Sequence, residues 1–161
     1  MDFVLTLHSH LPYVLNHGRW PHGSDWLCEA AVDTYIPLLE ALDGLEVEGV
    51  PGPMTIGVTP ILANQLAHRS FGTELSAFFT QRLGACDEAE AVFAGNGEDH
   101  LIPLVGYWRE RYRRLRRRFE RCGGDLIGEL RRHATEGRIE LLSSGATHGF
   151  LPLLAREESI A

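Results

Sequence analysis

Two histidines set two residues apart, His8 and His10, stand where an apolar run gives way to Pro12 and Tyr13. In an extended segment, side chains at i and i+2 project to the same side, so both imidazoles face one space. Such a pair can hold a metal ion or grip a polar ligand, because a neutral imidazole both donates and accepts a hydrogen bond. A metal centre needs a further Asp, Glu or His. His148, at the end of a later apolar run, is the candidate for that third group. Tyr13, Trp20 and Trp26 surround the first loop. Aromatic faces suit sugar rings, whose C–H faces are apolar and whose rims are polar. Trp20, in the Gly-, Pro- and His-rich stretch from Asn16 to Gly23, is the better candidate for such a contact. Trp26 falls on an expected helix and reads as a packing residue.

Other chemistries find little support. Retaining glycoside chemistry needs two carboxyls about 5–5.5 Å apart across the scissile bond. The expected strand ends carry His8, His10, Thr59 and His148 instead, while Glu140 sits mid-strand and Glu157 and Glu158 lie well beyond the third strand. No Gly-x-Gly-x-x-Gly follows a strand, and a Walker-type Gly-Lys-Ser/Thr is impossible in a chain without lysine. Ser143-Ser144-Gly145 is not a nucleophile elbow. Cys28, Cys86 and Cys122 are widely spaced and odd in number, which points to reduced thiols and a cytoplasmic setting. The N-terminus lacks the pattern of a signal peptide, and no apolar run reaches the roughly 18 residues that span a bilayer.

All fifteen basic residues are arginines, and eight fall between Arg109 and Arg121 among aromatic residues. Basic residues interleaved with aromatics can mark nucleic-acid binding. Here Trp108, Tyr112, Leu115 and Phe119 recur at helical spacing as a buried stripe, which leaves the arginines on a solvated face. The formal net charge of −7 argues further against nucleic acid or an anionic membrane as partner.

The elements that must position these groups alternate in type. Phe3 to Leu7 reads as a strand buried on both faces. Ser24 or Asp25 can cap a helix through Leu42, with a kink or break expected at Pro37 and an end at Gly44 and Gly49. Pro51-Gly52-Pro53 is a turn, Met54 to Thr59 a second strand, and Ile61 to His68 a helix. Residues 70 to 133 are expected to be helical in at least three pieces, broken near Gly95–Gly97 and at Gly123-Gly124. Gly137 caps the last piece, and Arg138 to Ser144 is the third strand. Strands alternating with helices imply a parallel α/β architecture whose functional groups gather at the strand C-terminal ends. No domain boundary is visible within residues 1–161.

Four blocks in order carry a resemblance. Leu7-His8-Ser9-His10-Leu11-Pro12-Tyr13 looks like the first signature of glycoside hydrolase family 57, and Gly145-Ala146-Thr147-His148-Gly149-Phe150-Leu151-Pro152-Leu153-Leu154 looks like the second. Between them, Trp20-Pro21 with Glu29-Ala30 and the segment Thr59 to Leu66 resemble the same pattern. The His-x-His-Leu-Pro-Tyr and Ala-Thr-His-Gly forms are similar to those of the family's 1,4-α-glucan branching enzymes. The family's α-amylases and 4-α-glucanotransferases tend toward a His-Gln-Pro form and are the nearest alternative. A metal-dependent polysaccharide hydrolase using His8, His10 and His148, and a non-catalytic glucan-binding remnant, are the further readings.

The resemblance implies that residues 1–161 are the N-terminal portion of an incomplete (β/α)7 barrel acting on α-1,4-glucan, with no metal and no organic cofactor. It implies a retaining double displacement that places a transferred glycosyl unit on a glucan O6. His10 and His148 would line the donor subsite, with His8 in support and Trp20 and Tyr13 beside the glucan. The nucleophilic Glu and the acid Asp are expected beyond Ala161, so the 161 residues alone are expected to be inactive. Three strands of an open barrel also leave apolar edges unpaired, an association hazard.

Overall fold

The computed structural model describes residues 4–50 and 54–159. Phe3 and the Pro51-Gly52-Pro53 turn lie outside the described residues. Three short strands, β1 (Thr6–Ser9), β2 (Met54–Val58) and β3 (Ile139–Leu142), form one sheet in the order β1-β2-β3. Both pairings are parallel, with Thr6 opposite Thr55, Ser9 opposite Val58, and Thr55 opposite Glu140. Parallel neighbours need long crossovers, and helices supply them. The chain is therefore an α/β fold, as the alternating pattern implied.

The first strand sits later in the sequence than its apolar residues suggest. Val4 and Leu5 are exposed, and the ladder runs on through His8 and Ser9 until Thr59 donates its backbone N–H to the Ser9 carbonyl at 3.2 Å. Pairing with β2 sets the register, which overrides local hydrophobicity. The expectation of a strand buried on both faces fails for β1; in β3, too, Leu141 and Leu142 are exposed.

Helix α1 (Ser24–Ala30) runs into a π-helical turn (Ala31–Tyr35) and then α2 (Ile36–Val47). The irregularity expected at Pro37 takes this form. Proline has no N–H to donate and its ring crowds the carbonyl four residues back, so the preceding turn widens while the rod continues. Gly23, not Ser24 or Asp25, is the N-cap; Ser24 lies inside the helix and donates its hydroxyl to Glu74. Gly44 does not end α2. The left-handed turn falls at Gly49, where φ is 65°.

Helix α3 (Pro60–Leu66) follows β2 directly, with Thr59 as N-cap and Pro60 in the first turn, where a missing N–H costs nothing. Then come α4 (Arg69–Asn96), α5 (Ile102–Arg121) and α6 (Leu126–Thr135). The breaks fall at the expected glycines, with φ of 71° at Gly97 and 62° at Gly123. Helices α4 and α5 form a long antiparallel hairpin. One core joins the hairpin base to the sheet, with Phe71, Leu75, Phe78 and Phe79 from α4, Leu115 and Phe119 from α5, Leu39 and Leu42 from α2, and Ile56 from β2.

Two side-chain expectations for α5 need correction. Its apolar stripe is buried only in its second half: Leu115 and Phe119 are in the core, Tyr112 is half-buried, and Trp108 is 38% exposed. The helix outruns the core it packs on. Arg118, expected on the solvated face, is buried, where it pairs with Asp43 at 2.9 Å and with Glu129. Arg132 reaches Asp43 at 2.8 Å and Glu46 at 3.1 Å, and Arg138 at the head of β3 also holds Glu46. This network clamps α2, α5, α6 and β3 together. The Arg138 and Arg132 guanidiniums pull the Glu46 carboxyl down to about 2.

Candidate functional site

The C-terminal ends of all three strands open on the same edge of the sheet, and the three histidines meet there. The His8 and His148 rings stack with centroids 4.5 Å apart and planes 26° from parallel; His10 lies 4.7 Å from His148 on a tilted ring. His8 is on β1, His10 just past its end, and His148 on the segment after β3. Residues 140 positions apart thus share one small surface, and the i, i+2 spacing does put both β1-side rings against the same partner.

Each ring is placed by a specific local feature. Gly57, opposite His8 in the register, leaves room for the imidazole: a Cβ there would stand 3.3 Å from His8 Nδ1. His10 Nδ1 lies 3.2 Å from the hydroxyl of Thr59, a fully buried side chain at the end of β2. His148 sits in the left-handed region with φ of 63°, in a turn closed by its own N–H to the Gly145 carbonyl at 2.9 Å. Non-glycine residues occupy that region at a cost, and they concentrate at functional positions. Ile61 donates to the Ala146 carbonyl at 3.1 Å, which fastens this turn to the start of α3.

Behind the first loop, Gln65 is completely buried and holds three backbone groups. Its Oε1 accepts from the N–H of Val14 at 2.7 Å and of Leu15 at 3.3 Å, and its Nε2 donates to the Pro12 carbonyl at 3.0 Å. A loop crossing the interior must satisfy its peptide groups, and one amide side chain does so for this one. Gln65 and Thr59 fall within the block Thr59 to Leu66, yet no periodicity or charge marks either as a positioning residue.

Desolvation, then the neighbouring His148 and His8 rings, hold His10 below the usual histidine value, so it is neutral near pH 7. A neutral imidazole can donate to one hydroxyl and accept from another. His8 and His10 each lay a ring against His148. Among the described residues, ligating atoms converge only at Glu46, His133 and Glu136, and there Arg132 and Arg138 already occupy the carboxylates.

Of the aromatic candidates, Trp20 is 82% exposed on the loop between β1 and α1, and Tyr13 is partly exposed with its ring 6.1 Å from His17. Trp26, expected to be a packing residue, is 41% exposed, its ring 5.9 Å from His22. Arg19, in the same loop, pairs with Asp25 at 2.9 Å. Among the described residues, the strand ends present histidines and threonine and no facing pair of carboxyls.

Residues 4–161 match the description of glycosyl hydrolase family 57. The chain belongs to that family. It is 38% identical over 157 residues to the 1,4-α-glucan branching enzyme TK1436 of Thermococcus kodakarensis, covering 98% of this chain and 22% of that protein. The crystal structure of TK1436 superposes with a TM-score of 0.88 at 37% identity, covering 96% of this chain and 27% of the other. That of a GH57-type branching enzyme from Pyrococcus horikoshii gives 0.91 at 34% identity, covering 96% and 29%. The α-amylase AmyC of Thermotoga maritima gives 0.82 at 25%, covering 93% and 28%. The chain thus spans about a quarter of the length of the relatives it matches. Among its described residues no helix is long and apolar enough to cross a membrane.

Proposed function

We propose that this chain forms part of a 1,4-α-glucan branching enzyme, as the N-terminal portion of an incomplete (β/α)7 barrel, and that its histidine cluster lines the donor subsite. What carries the reading is the meeting of His8, His10 and His148 at the C-terminal edge of a parallel sheet, in a family 57 chain whose relatives include named branching enzymes. In this reading His10 and His148 hydrogen-bond glucan hydroxyls near the reacting carbon, and His8 backs His148 by stacking. Trp20 and Tyr13 offer apolar faces to neighbouring glucose rings. The nucleophile and the proton donor of the retaining double displacement come from outside residues 1–161, a reading supported by strand ends that, among the described residues, carry histidines and threonine in place of a facing pair of carboxyls.

Sugar hydroxyls explain the chemistry of the cluster well. The neutral His10 imidazole offers one donor and one acceptor, and loss of one such contact costs about 1–3 kcal/mol, or roughly tenfold in rate for each 1.4 kcal/mol. The metal-hydrolase alternative is not favoured by relatives that are named branching enzymes.

The test is product analysis on amylose with the polypeptide as isolated from its source cells, its intact mass measured beside the 18.0 kDa of this chain. The expected result is new α-1,6 branch points, reduced about tenfold or more by His10→Ala or His148→Ala. New reducing ends without α-1,6 linkages would make the enzyme a hydrolase and refute the branching assignment. Turnover by the purified 161 residues alone would refute the external placement of the carboxyls.

A further inference from the structure

The hydroxyl of Thr59 has one place to send its proton. Thr59 follows β2 directly, and it is fully buried, so no group from outside these residues reaches it. A threonine at a helix N-cap commonly turns its oxygen toward the N–H groups of the first turn. Thr59 caps α3 without any such side-chain bond. Its backbone is committed as well, the N–H to the Ser9 carbonyl at 3.2 Å and the carbonyl to the Ala63 N–H at 2.9 Å. Among the described residues, His10 Nδ1, at 3.2 Å, is the single hydrogen-bond partner of the hydroxyl.

That contact decides a tautomer. A neutral imidazole carries its one proton on Nδ1 or on Nε2, and the bond made by one nitrogen settles what the other presents. With the proton on Nδ1, the hydroxyl would accept it and leave its own O–H buried without an acceptor, a loss that folded proteins avoid. With Nδ1 bare, the hydroxyl donates to it and both groups are satisfied. The His10 proton then sits on Nε2. Charging the ring would add a proton to Nδ1 and strand the hydroxyl in the same way, which agrees with a His10 held below the usual histidine range by desolvation and by His148 and His8. His10 is itself exposed, which leaves its Nε2–H for a ligand.

We infer that Thr59 is a positioning residue whose buried hydroxyl fixes His10 as the Nε2–H tautomer, so that His10 meets its ligand as a hydrogen-bond donor to an oxygen. The identity of that oxygen, a hydroxyl or bridging oxygen of a sugar, rests on the α-glucan reading; the tautomer rests on the geometry of Thr59 alone. The assignment also keeps His10 from acting as the base for an incoming sugar hydroxyl, because its bare nitrogen is taken by Thr59.

The test is the side-chain nitrogen spectrum of the polypeptide isolated from its source cells, grown with isotope-labelled histidine, with His10→Gln identifying the His10 signals. Thr59→Val keeps the shape of the side chain and removes the hydroxyl, and Thr59→Ser restores it. Wild type and Thr59→Ser should show a bare Nδ1 and a protonated Nε2 at His10, and Thr59→Val a mixture of tautomers. On amylose, kcat/KM should fall about three- to tenfold in Thr59→Val, as for one hydrogen bond, and recover in Thr59→Ser. A wild-type His10 protonated on Nδ1, or a Thr59→Val spectrum unchanged from wild type, would overturn the assignment. The expected tautomers with no turnover of amylose by wild type would refute the α-glucan reading, and the sugar oxygen with it, while upholding the hold of Thr59 on His10. If circular dichroism shows Thr59→Val unfolded, the wild-type and Thr59→Ser spectra decide.

Discussion

Replacing Gln65 with Leu tests how the His10 loop is held. The two side chains are similar in size, so the substitution leaves little cavity and mainly removes the amide. The buried N–H groups of Val14 and Leu15 lose their acceptor, and the Pro12 carbonyl loses its donor. A buried polar group left unsatisfied costs about 1–3 kcal/mol. The Val14 contact, at 2.7 Å, should count nearly in full and the 3.3 Å Leu15 contact much less. Pro12 is exposed, so its carbonyl is expected to recover water. The expected loss is therefore about 2–3 kcal/mol. In urea, with a slope of about 2 kcal/mol/M, that moves the midpoint down by roughly 1–1.5 M. Gln65→Glu keeps the acceptor and loses the donor, at the expense of burying a carboxyl. The assay is equilibrium urea unfolding followed by circular dichroism, with the His10 ring resonances recorded in native buffer. A midpoint shift under about 0.3 M for Gln65→Leu, with His10 resonances unmoved, would show that Gln65 neither stabilises the loop nor places the histidine.

Two further predictions concern the ionic clamp. Arg118→Met keeps the aliphatic stem and removes the charge that Asp43 and Glu129 share. Breaking a buried pair costs about 3–5 kcal/mol, but both carboxylates are partly exposed and Arg132 still reaches Asp43, so about 2–3 kcal/mol is expected from thermal or urea unfolding. His133 is fully buried, with Nε2 3.2 Å from Asp43 and 3.0 Å from Arg132; burial first, then the Arg132 charge, hold it below its ordinary 6.5. The unfolded chain therefore binds a proton that the fold resists, and stability is lost as pH falls below 6.5. His10 acts in the same direction. Thermal midpoints from pH 7.5 to 5.5 should fall for wild type and fall less steeply for His133→Gln; equal slopes would refute this role. Glu46 acts lower, its contribution present above 4.5 and lost as pH falls toward about 2.

The sequence by itself determined the class of fold and the neighbourhood of the site. Glycines at 97 and 123 and the prolines at 37 and 60 mark breaks, caps and an irregular turn by backbone chemistry alone, and the helices obey them. The i, i+2 spacing of His8 and His10 fixed a shared side once an extended backbone was granted. Tertiary structure decided what depends on distant partners. Pairing with β2 moved β1 onto His8 and Ser9 and gave His8 its place over Gly57. Gln65 and Thr59 became positioning groups only because the folded chain brought unsatisfied polar atoms beside them. Helical periodicity could not show where the core ends along α5. It read Trp108 as buried and Arg118 as solvated, and the packing of α2, α4 and α6 reversed both. A periodic pattern says which residues share a face; only the neighbouring elements say whether that face is covered.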